Sequence, residues 1–303
     1  MLNINRMRIL REIADRGSIS AAADGLYMTP SAVSQQMATL EREAGTQLLE
    51  RSGRSVRLTP AGEALVSQTE RVLAVLEEAQ AQLDQISKGV AGRLRTCAFP
   101  TAARALLVPA LARLAREAPA LHFTMVDLEP EESIPMLKRG ELDVVLNYEF
   151  NHLPASDDPG VERLRLLVEP IYVALPESHP LASRPRIRLS DLADEQWIVG
   201  RDGSPFLEVQ IRVANEAGFE PKVDLHSNDY QVILSAVQAG LGVTIVPPLA
   251  LFASYPGVVY RQPADVEVHR TVNALVRRGS SESPAIAAML SVLVEVAAEV
   301  EQP

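Results

Sequence analysis

Cysteine is almost absent from this sequence, since Cys97 is the only one among 303 residues. A single thiol cannot form an intrachain disulfide, and it cannot supply the ligands of a zinc finger. Cys97 lies in an apolar stretch, which predicts a buried and inert thiol in a reducing compartment. A secreted protein stabilised by disulfides is thereby excluded.

Long apolar runs are also absent. The longest, residues 236–253, is interrupted by two glycines and two prolines, and it falls short of the about 20 continuous residues that a membrane span requires. The N-terminus carries Arg6 and Arg8 where a signal peptide has an uninterrupted apolar stretch. We therefore expect a cytoplasmic protein with no membrane partner.

The motifs of common catalytic sites are missing too. Gly203-Ser204-Pro205 lacks the second glycine of a nucleophile elbow, and the five histidines include no pair at the spacing of a metal site. Gly240-Leu-Gly242 lacks the third glycine and the downstream acid of a dinucleotide site, and no Gly-Lys-Ser or Gly-Lys-Thr phosphate loop occurs. We expect neither an enzyme nor a bound cofactor or metal.

The net charge of −10 is unevenly distributed along the chain. Residues 1–59 contain eight arginines and six acidic residues, so this segment is basic while the remainder is strongly acidic. A basic module can still bind phosphate groups, because charges beyond a Debye length of about 8 Å are screened. The length and the ordinary balance of apolar and charged residues predict at least two folded domains.

Three short helices are predicted at the start of the chain, over residues 5–15, 19–25 and 30–43. Thr29 is positioned as the N-cap of the third, and Pro30 occupies its first helical position, where a missing N–H has no cost. The alanine-rich middle of the second helix has little bulk, which allows another helix to approach closely.

The outer face of the third predicted helix carries short polar side chains. An apolar stripe from Val33 to Leu40 faces the core and leaves Ser31, Ser34 and Gln35 outside. Hydroxyl and amide groups on an exposed N-terminal turn suit base edges and phosphates in a major groove. A surface helix of small polar residues explains this face equally well.

A short hairpin follows, with strands over residues 47–51 and 55–58. Its tip places Arg51 and Arg54 on either side of the turn, beside the predicted recognition helix. Arginine at a hairpin tip can enter a minor groove or contact phosphate. The pattern predicts a wing attached to a helix-turn-helix.

A series of spaced motifs runs through these sixty residues: Gly17-Ser-Ile-Ser20, Ala22-Ala23, Leu26, Ser31-Ala-Val-Ser34, Leu40-Glu41, Gly45, Leu48, Arg51, Arg54, Val56 and Leu58-Thr-Pro-Ala-Gly62. In these positions the sequence resembles the LysR-type transcriptional regulators. The resemblance implies a DNA-binding domain over residues 1–58 that binds double-stranded operator DNA.

Two departures from the family pattern affect the recognition helix. Family members often carry a base-contacting glutamine where this chain has Pro30, and a proline where it has Ser31. Thr29 and Pro30 remain in the predicted DNA-binding set, but base readout is expected from Ser31, Ser34 and Gln35. Arg51 and Arg54 complete the set at the wing.

A long helix is predicted over residues 59–88. Its apolar positions alternate spacings of four and three: Leu65, Thr69, Val72, Leu76, Ala79, Leu83 and Ile86. This alternation predicts a coiled-coil seam, with an amphipathic helix lying on its own domain as the alternative. The resemblance implies that this linker helix forms a homodimer, which we expect to pair further into a homotetramer.

Strands alternate with helices from residue 92 onward, which predicts an α/β fold with largely parallel sheets. The resemblance, carried here by Gly140–Asp143, Asn228-Asp229 and Val237–Val243, implies a two-lobed sensor domain like a periplasmic binding protein. The effector-binding domain is expected over 92–303, with lobe one at 92–161 and 268–303 and lobe two at 162–267.

A cleft between such lobes is expected to bind a small organic effector at strand ends and helix N-termini, whose N–H groups suit a carboxylate. We therefore expect an anionic or zwitterionic effector. Thr101 and Ser204 are the best placed to receive the anion, with Arg104 and Arg201 as candidate charged partners, although an ordinary cap or turn is an equally good interpretation of each segment. The predicted effector-binding set is Thr101, Ala102, Asn147, Tyr148, Gly203, Ser204 and Asn228.

Overall fold

The computed structural model describes residues 1–52, 55–88, 90–154, 158–251 and 255–301. The chain divides into two compact units, an N-terminal unit over residues 1–83 and a C-terminal unit over residues 84–303. Among the described residues, no helix combines the length and the apolar character needed to cross a membrane.

The N-terminal unit is a three-helix domain with a hairpin and the start of a long helix. Its elements are α1 (Ile4–Arg16), α2 (Ile19–Gly25), α3 (Pro30–Ala44), β1 (Leu49–Ser52), β2 (Ser55–Leu58) and α4 (Pro60–Lys88). The helix ends follow from side-chain caps: the Ser18 hydroxyl accepts from the Ala21 N–H, and the Thr29 hydroxyl accepts from the Ala32 N–H. The predicted helices and hairpin are therefore present.

Two contacts attach the hairpin and α4 to α3. The Glu41 carboxylate on α3 accepts from the backbone N–H groups of Leu48 and Leu49, at 2.9 and 3.2 Å. Gly62 on α4 lies against the same segment, because a Cβ at this position would come within 2.2 Å of the Leu48 carbonyl oxygen. Substitution of Gly62 would therefore push α4 away from the hairpin.

The side chains at the predicted coiled-coil positions of α4 differ in burial along the helix. Leu65 packs against the core of the helix-turn-helix, and Thr69 is buried with its hydroxyl bonded to the Leu65 carbonyl. Val72 and Leu76 are 42% and 49% exposed. The side chains of Ala79, Leu83 and Ile86 lie outside the described residues. The first turns of α4 thus pack on the chain's own domain, as in the alternative interpretation. Beyond these turns, α4 exposes apolar side chains.

The C-terminal unit is a mixed α/β structure built on two main sheets. Its strands are β3 (Gly92–Ala98), β4 (Leu121–Asp127), β5 (Val144–Phe150), β6 (Val161–Pro170), β7 (Tyr172–Pro176), β8 (Arg186–Ile187), β9 (Gln196–Val199), β10 (Lys222–His226), β11 (Thr244–Val246), β12 (Val258–Pro263) and β13 (His269–Arg277). Its helices are α5 (Pro100–Ala102), α6 (Val108–Glu117), α7 (Pro130–Lys138), α8 (Pro205–Glu216), α9 (Tyr230–Gln238) and α10 (Pro284–Glu301). A π-helical segment, Ala103–Leu107, joins α5 to α6.

The first sheet has the order β4-β3-β5-β13-β6, and the second has the order β11-β7-β12-β8 with the parallel pair β9–β10 beside it. β3 runs parallel to β4 and β5, whereas β13 is antiparallel to both of its neighbours and β7 is antiparallel to β11 and β12. The sheets are therefore mixed and not largely parallel as expected, because the strands near the connections between lobes return in the opposite direction.

The predicted boundary between the lobes at residue 162 is wrong. β6 pairs with β13 along its whole length, from Val161 opposite Arg277 to Pro170 opposite His269. Residues 162–170 therefore belong to the first sheet, and the second lobe begins at Ile171. Alternation of apolar residues identifies a strand but does not say which distant strand it pairs with.

A buried ion cluster closes the base of the first sheet. The Arg95 guanidinium donates to both Asp143 oxygens, at 3.0 and 2.8 Å, and Arg277 donates to one of them at 3.1 Å. Burial acts to raise the pKa of the Asp143 carboxyl, but the hydrogen bonds and charge of Arg95 outweigh it and hold this pKa below its usual value. The cluster joins β3 and β13 to the start of β5.

Tyr27, in the turn between α2 and α3, has φ +55°, and it is the one non-glycine residue in the described ranges with a positive φ. Its side chain is 99% exposed, so no packing within the unit compensates for this left-handed backbone. An L-residue in this region is disfavoured, most of all a bulky one, whereas asparagine adopts it more readily. The turn therefore stores backbone strain.

Tyr27→Asn should raise the free energy of unfolding of the N-terminal unit by about 1 kcal/mol, because asparagine tolerates the left-handed conformation. Tyr27→Ala is the matched control, since it removes the ring but keeps the strain. Trp197, the only tryptophan, lies in the C-terminal unit, so hydrogen exchange of the α1–α3 amides is the appropriate measurement. Equal exchange rates in Tyr27→Asn and the wild type would contradict the strain.

Candidate functional site

The exposed face of α3 presents the polar residues singled out in the sequence. Thr29, Pro30, Ser31 and Gln35 are exposed and Ser34 is half-buried. Val33, Met37 and Leu40 are buried behind them and fix the orientation of the helix. The Thr29 and Ser31 hydroxyl oxygens lie 3.1 Å apart at the first turn.

The two neighbouring glutamines of α3 differ in their surroundings. The Gln36 side-chain oxygen accepts a hydrogen bond from Arg6 on α1 at 3.2 Å, and Arg6 also pairs with Glu43 at 2.8 Å. Gln36 is thus held inside the domain, whereas the Gln35 side chain projects into solvent. Of the two, only Gln35 is positioned to reach a ligand outside the domain.

The wing arginines are described only in part. Arg51 lies in β1 opposite Val56, but its side chain lies outside the described residues, as does Arg54 entirely. Arg57 on β2 is exposed. The roles of Arg51 and Arg54 therefore stay predictions from the sequence.

A cleft of about 440 Å³ opens within the C-terminal unit, between the first sheet and the second lobe. The carboxyl ends of β3, β4 and β5 and the helix starts after them form one wall, where Thr101 and Tyr148 lie. The loops before α8 and α9 form the other, where Asn228 lies. The volume falls in the range of small-molecule sites, about 300 to 1,000 Å³.

Arg270 on β13 lies at the inner end of the cleft and is almost fully buried. Its Nε and Nη2 donate to one oxygen of Glu169 at 2.7 and 2.6 Å, and Nη2 also donates to the Thr101 hydroxyl at 3.2 Å. The guanidinium lies over the rings of Phe99 and Tyr148, 5.0 and 5.3 Å from their centroids. Hydrogen bonds and ring faces together replace the water that this cation has lost.

The other Glu169 oxygen accepts from the Leu249 N–H at 2.8 Å, in the second lobe. One carboxylate therefore connects the first sheet, the cleft and the second lobe. Burial acts to lower the pKa of the Arg270 guanidinium, but the Glu169 carboxylate outweighs it and raises this pKa. The Arg270 guanidinium therefore stays protonated.

Glu129, just before α7, contributes a carboxyl group to the same cleft. The Tyr148 hydroxyl donates to its Oε2 at 3.2 Å. Burial raises the pKa of Glu129 above its usual value, against a smaller opposing effect of the Tyr148 hydrogen bond. Burial also raises the pKa of Tyr148 strongly, so the phenol stays protonated.

Aromatic rings line both walls of the cleft. Phe99 and Tyr148 meet edge to face at 4.7 Å on the first sheet, and Phe206 and Tyr230 lie 5.3 Å apart at the starts of α8 and α9. All four line the cleft. The cleft thus combines an apolar interior with charged groups.

The structure separates the predicted effector residues into two groups. Thr101, Tyr148 and Asn228 line the cleft, together with Arg104 in the π-helical segment and Arg201. Ala102, Asn147, Gly203 and Ser204 lie outside the lining. Whether the lining residues contact a ligand stays a prediction.

The polar groups of Ser204 and Asn147, which lie outside the lining, have hydrogen-bond partners within the protein. The Ser204 hydroxyl caps α8 by accepting from the Leu207 N–H at 3.2 Å, and it donates to the Arg201 carbonyl at 2.8 Å. The Asn147 oxygen accepts from the Tyr148 N–H at 2.6 Å. Ser204 is thus the ordinary cap that the sequence left open, and it is not placed to receive an anion.

Sequence reasoning missed Glu129, Arg270 and Tyr230. Glu129 and Pro130 follow β4 at the same kind of strand-to-helix turn as Pro100 and Thr101, so that turn carried a usable signal. Arg270 lies near the start of β13, a strand with a mostly apolar middle, and a buried arginine requires a partner. Neither feature identifies Glu169 as that partner.

Cys97 on β3 is fully buried, as predicted. Burial raises the pKa of its thiol to about 11. The thiolate is the reactive form, so this side chain is a poor nucleophile at neutral pH.

Two family descriptions match the chain. "Bacterial regulatory helix-turn-helix protein, lysR family" matches residues 4–63, and "LysR substrate binding domain" matches residues 87–298. The chain belongs to the LysR family. It is therefore a transcriptional regulator with a DNA-binding helix-turn-helix and an effector-binding domain, and not an enzyme.

Curated LysR-family relatives match over nearly the full length. The transcriptional dual regulator GltC of Bacillus subtilis is 27% identical over 303 residues, covering 99% of each chain. The regulator XapR of Escherichia coli is 29% identical over 299 residues, covering 97% of this chain and 98% of XapR. A full-length OxyR variant from Pseudomonas aeruginosa superposes with a TM-score of 0.72 at 24% identity, covering 98% of this chain and 95% of that one, and it shows a common fold.

Glu169→Gln in this LysR-family regulator should lower the free energy of unfolding of the C-terminal unit by about 3 to 5 kcal/mol, because Arg270 would stay buried without a counter-charge. Urea unfolding followed by Trp197 fluorescence measures this. The double variant Glu169→Gln with Arg270→Met should be more stable than Glu169→Gln alone, since no unpaired charge remains. Asp194→Asn, in an exposed pair with Lys222, is the control and should leave the midpoint unchanged. A single variant as stable as the wild type would show that the pair is dispensable.

Proposed function

We propose that α3 reads operator DNA through Ser31, Ser34 and Gln35, with Thr29 and Pro30 beside them at the helix start. The observation that supports this is the exposed polar N-terminal turn of α3, backed by a fully buried apolar stripe. Short side chains on such a turn can reach base edges in a major groove. Arg51 and Arg54 of the wing contact the phosphate backbone or the minor groove.

This assignment separates base contacts from phosphate contacts. Gln35→Ala should cost roughly 1 to 3 kcal/mol of operator binding and relax sequence preference at one position. Arg54→Ala should weaken binding to all sequences and reduce the slope of log affinity against log salt by about one. Binding to operator and unrelated duplexes, measured by fluorescence anisotropy at several salt concentrations, distinguishes the two.

Gln36→Ala is the matched control for Gln35→Ala, because it removes the same side chain from the next position, where the amide is held by Arg6. It should leave sequence preference unchanged. Equal loss of preference in Gln36→Ala, or in Arg54→Ala, would contradict the assignment to Gln35.

The regulator forms a homodimer through α4 in this proposal, and two dimers associate into a tetramer. The support is the exposed pair Val72 and Leu76, which continues the predicted seam beyond the part of α4 that packs on its own domain. Two linked recognition helices read an inverted repeat. Since the target is promoter DNA, the protein acts in the cytoplasm.

Leu76→Asp combined with Val72→Asp should give monomers with weaker operator affinity, because both side chains are exposed within one chain and their loss affects only the partner contact. Light scattering of the full chain measures the mass. Arg71→Asp, an exposed neighbour on the same helix, should leave the oligomeric state unchanged. A double variant with the wild-type mass would place the dimer contact elsewhere.

The cleft of the C-terminal unit binds a small organic effector that carries at least one carboxylate. Arg104 and Arg201 in its lining support this, as do Thr101, Tyr148 and Asn228. The effector acts by binding one arrangement of the lobes more tightly than another, and such coupling typically amounts to about 1 to 3 kcal/mol in DNA affinity.

A further inference from the structure

The charged side chains that line the cleft do not suit an effector that carries negative charge alone. Its lining includes the carboxylates of Asp127, Glu129 and Asp229 as well as the guanidinium groups of Arg104 and Arg201. A further guanidinium in the lining, that of Arg270, pairs with Glu169. An effector with carboxylates alone would therefore enter against three acidic side chains.

Glu129 is the acidic group whose surroundings call for a cation. In the described part of the chain its carboxylate forms no ion pair, and its hydrogen-bond partner is the neutral Tyr148 hydroxyl. Glu131 and Glu132 on the same element add like charges nearby, and the Arg270 guanidinium, which is paired with Glu169, acts in the opposite direction. By contrast, the Asp229 carboxylate accepts from the Gln231 N–H at 2.8 Å as the cap of α9.

The charged groups lie on both walls of the cleft. On the first sheet, Asp127 ends the edge strand β4, Glu129 follows that strand, and Arg104 follows the neighbouring strand β3. Arg201 lies on the wall formed by the second lobe. The aromatic pairs Phe99–Tyr148 and Phe206–Tyr230 supply apolar surface on both walls.

We propose that Glu129 recognises the protonated amine of a zwitterionic effector, an α-amino acid with an apolar side chain or a close analogue. The effector's carboxylate lies toward Arg104 and Arg201, and its apolar part contacts the aromatic pairs. This inference rests on the proposed function, because it assigns the chemistry of the effector to the same cleft.

The binding of such an effector depends on pH in a defined direction. An ammonium group binds the ionised form of Glu129, and burial has raised the pKa of this carboxyl, so affinity should fall as pH falls through that value. The groups around it are Tyr148 on β5, Glu131 and Glu132 on α7, Asp127 on β4, Arg270 on β13 and Tyr230 on α9. Tyr148 and Arg270 keep their charge states at neutral pH, since the pKa values of both are raised.

The test uses matched triads of probes with the full chain. L-phenylalanine is compared with 3-phenylpropionate and 2-phenylethylamine, and L-leucine with 4-methylpentanoate and 3-methylbutylamine. Calorimetry and thermal unfolding followed by Trp197 fluorescence measure binding. At least one amino acid should bind about tenfold or more tightly than its acid and its amine, as expected for a hydrogen bond to a charged group.

Glu129→Gln should lower the affinity for that amino acid by about tenfold or more and abolish the pH dependence, and the affinity for the acid should stay equal or rise, because one repelling carboxylate is removed. An affinity for the acid that is not reduced shows that the cleft is intact. Glu131→Gln, which removes the same charge from an exposed neighbour outside the lining, should bind like the wild type. Glu129→Asp should restore part of the discrimination.

The inference is overturned if the acids bind as tightly as the amino acids, if Glu129→Gln keeps the discrimination, or if no amino acid of the panel binds. An acid that binds the cleft as tightly as its amino acid and changes operator affinity would overturn the inference while leaving the proposed function in place. The proposed function fails separately if Gln35→Ala and Arg54→Ala leave operator binding unchanged.

Discussion

The buried pair of Arg270 and Glu169 is the interaction on which the C-terminal unit depends. The two residues lie opposite each other in the register of β13 and β6, at the point where both strands leave the first sheet. Glu169 also accepts from Leu249 of the second lobe, and Arg270 also contacts Thr101 and the rings of the cleft wall. Desolvated charges are tolerated only when all their hydrogen bonds are made, so the geometry of the cleft and the connection between the lobes are constrained together.

The buried pair of Arg270 and Glu169 explains why charged groups and aromatic rings lie side by side in the cleft. The guanidinium of Arg270 occupies the inner end without offering its full charge to a ligand, because Glu169 neutralises it. The lining also includes the guanidinium groups of Arg104 and Arg201 and the carboxylate of Glu129. Family membership assigns the protein its role as a transcriptional regulator, but these few side chains lie outside the motifs that carry the family resemblance.

The sequence was sufficient to predict structure where a side chain interacts with residues close to it in the chain. Thr29, Ser18 and Gly17 end or begin helices through groups within a few residues, so the helix-turn-helix could be predicted closely. Long-range pairing could not. The membership of β6 in the first sheet depends on β13 in a distant part of the chain, and the partner of Arg270 depends on the same pairing. Ser204 shows the limit within a motif, since its hydroxyl fits both a cap and an anion site in the sequence, and only the contact with Leu207 decides between them.

The antiparallel pairing of β6 with β13 has a mechanical consequence. The chain passes between the lobes twice, at Pro170 and at His269, and these two crossings are register partners, held side by side by the hydrogen bond from the Ile171 N–H to the Val268 carbonyl. Two adjacent strands that are hydrogen-bonded to each other bend together more easily than they twist apart. They therefore form a two-stranded hinge between the lobes. We therefore expect any relative motion of the lobes to be mainly a rotation about an axis that crosses these two strands.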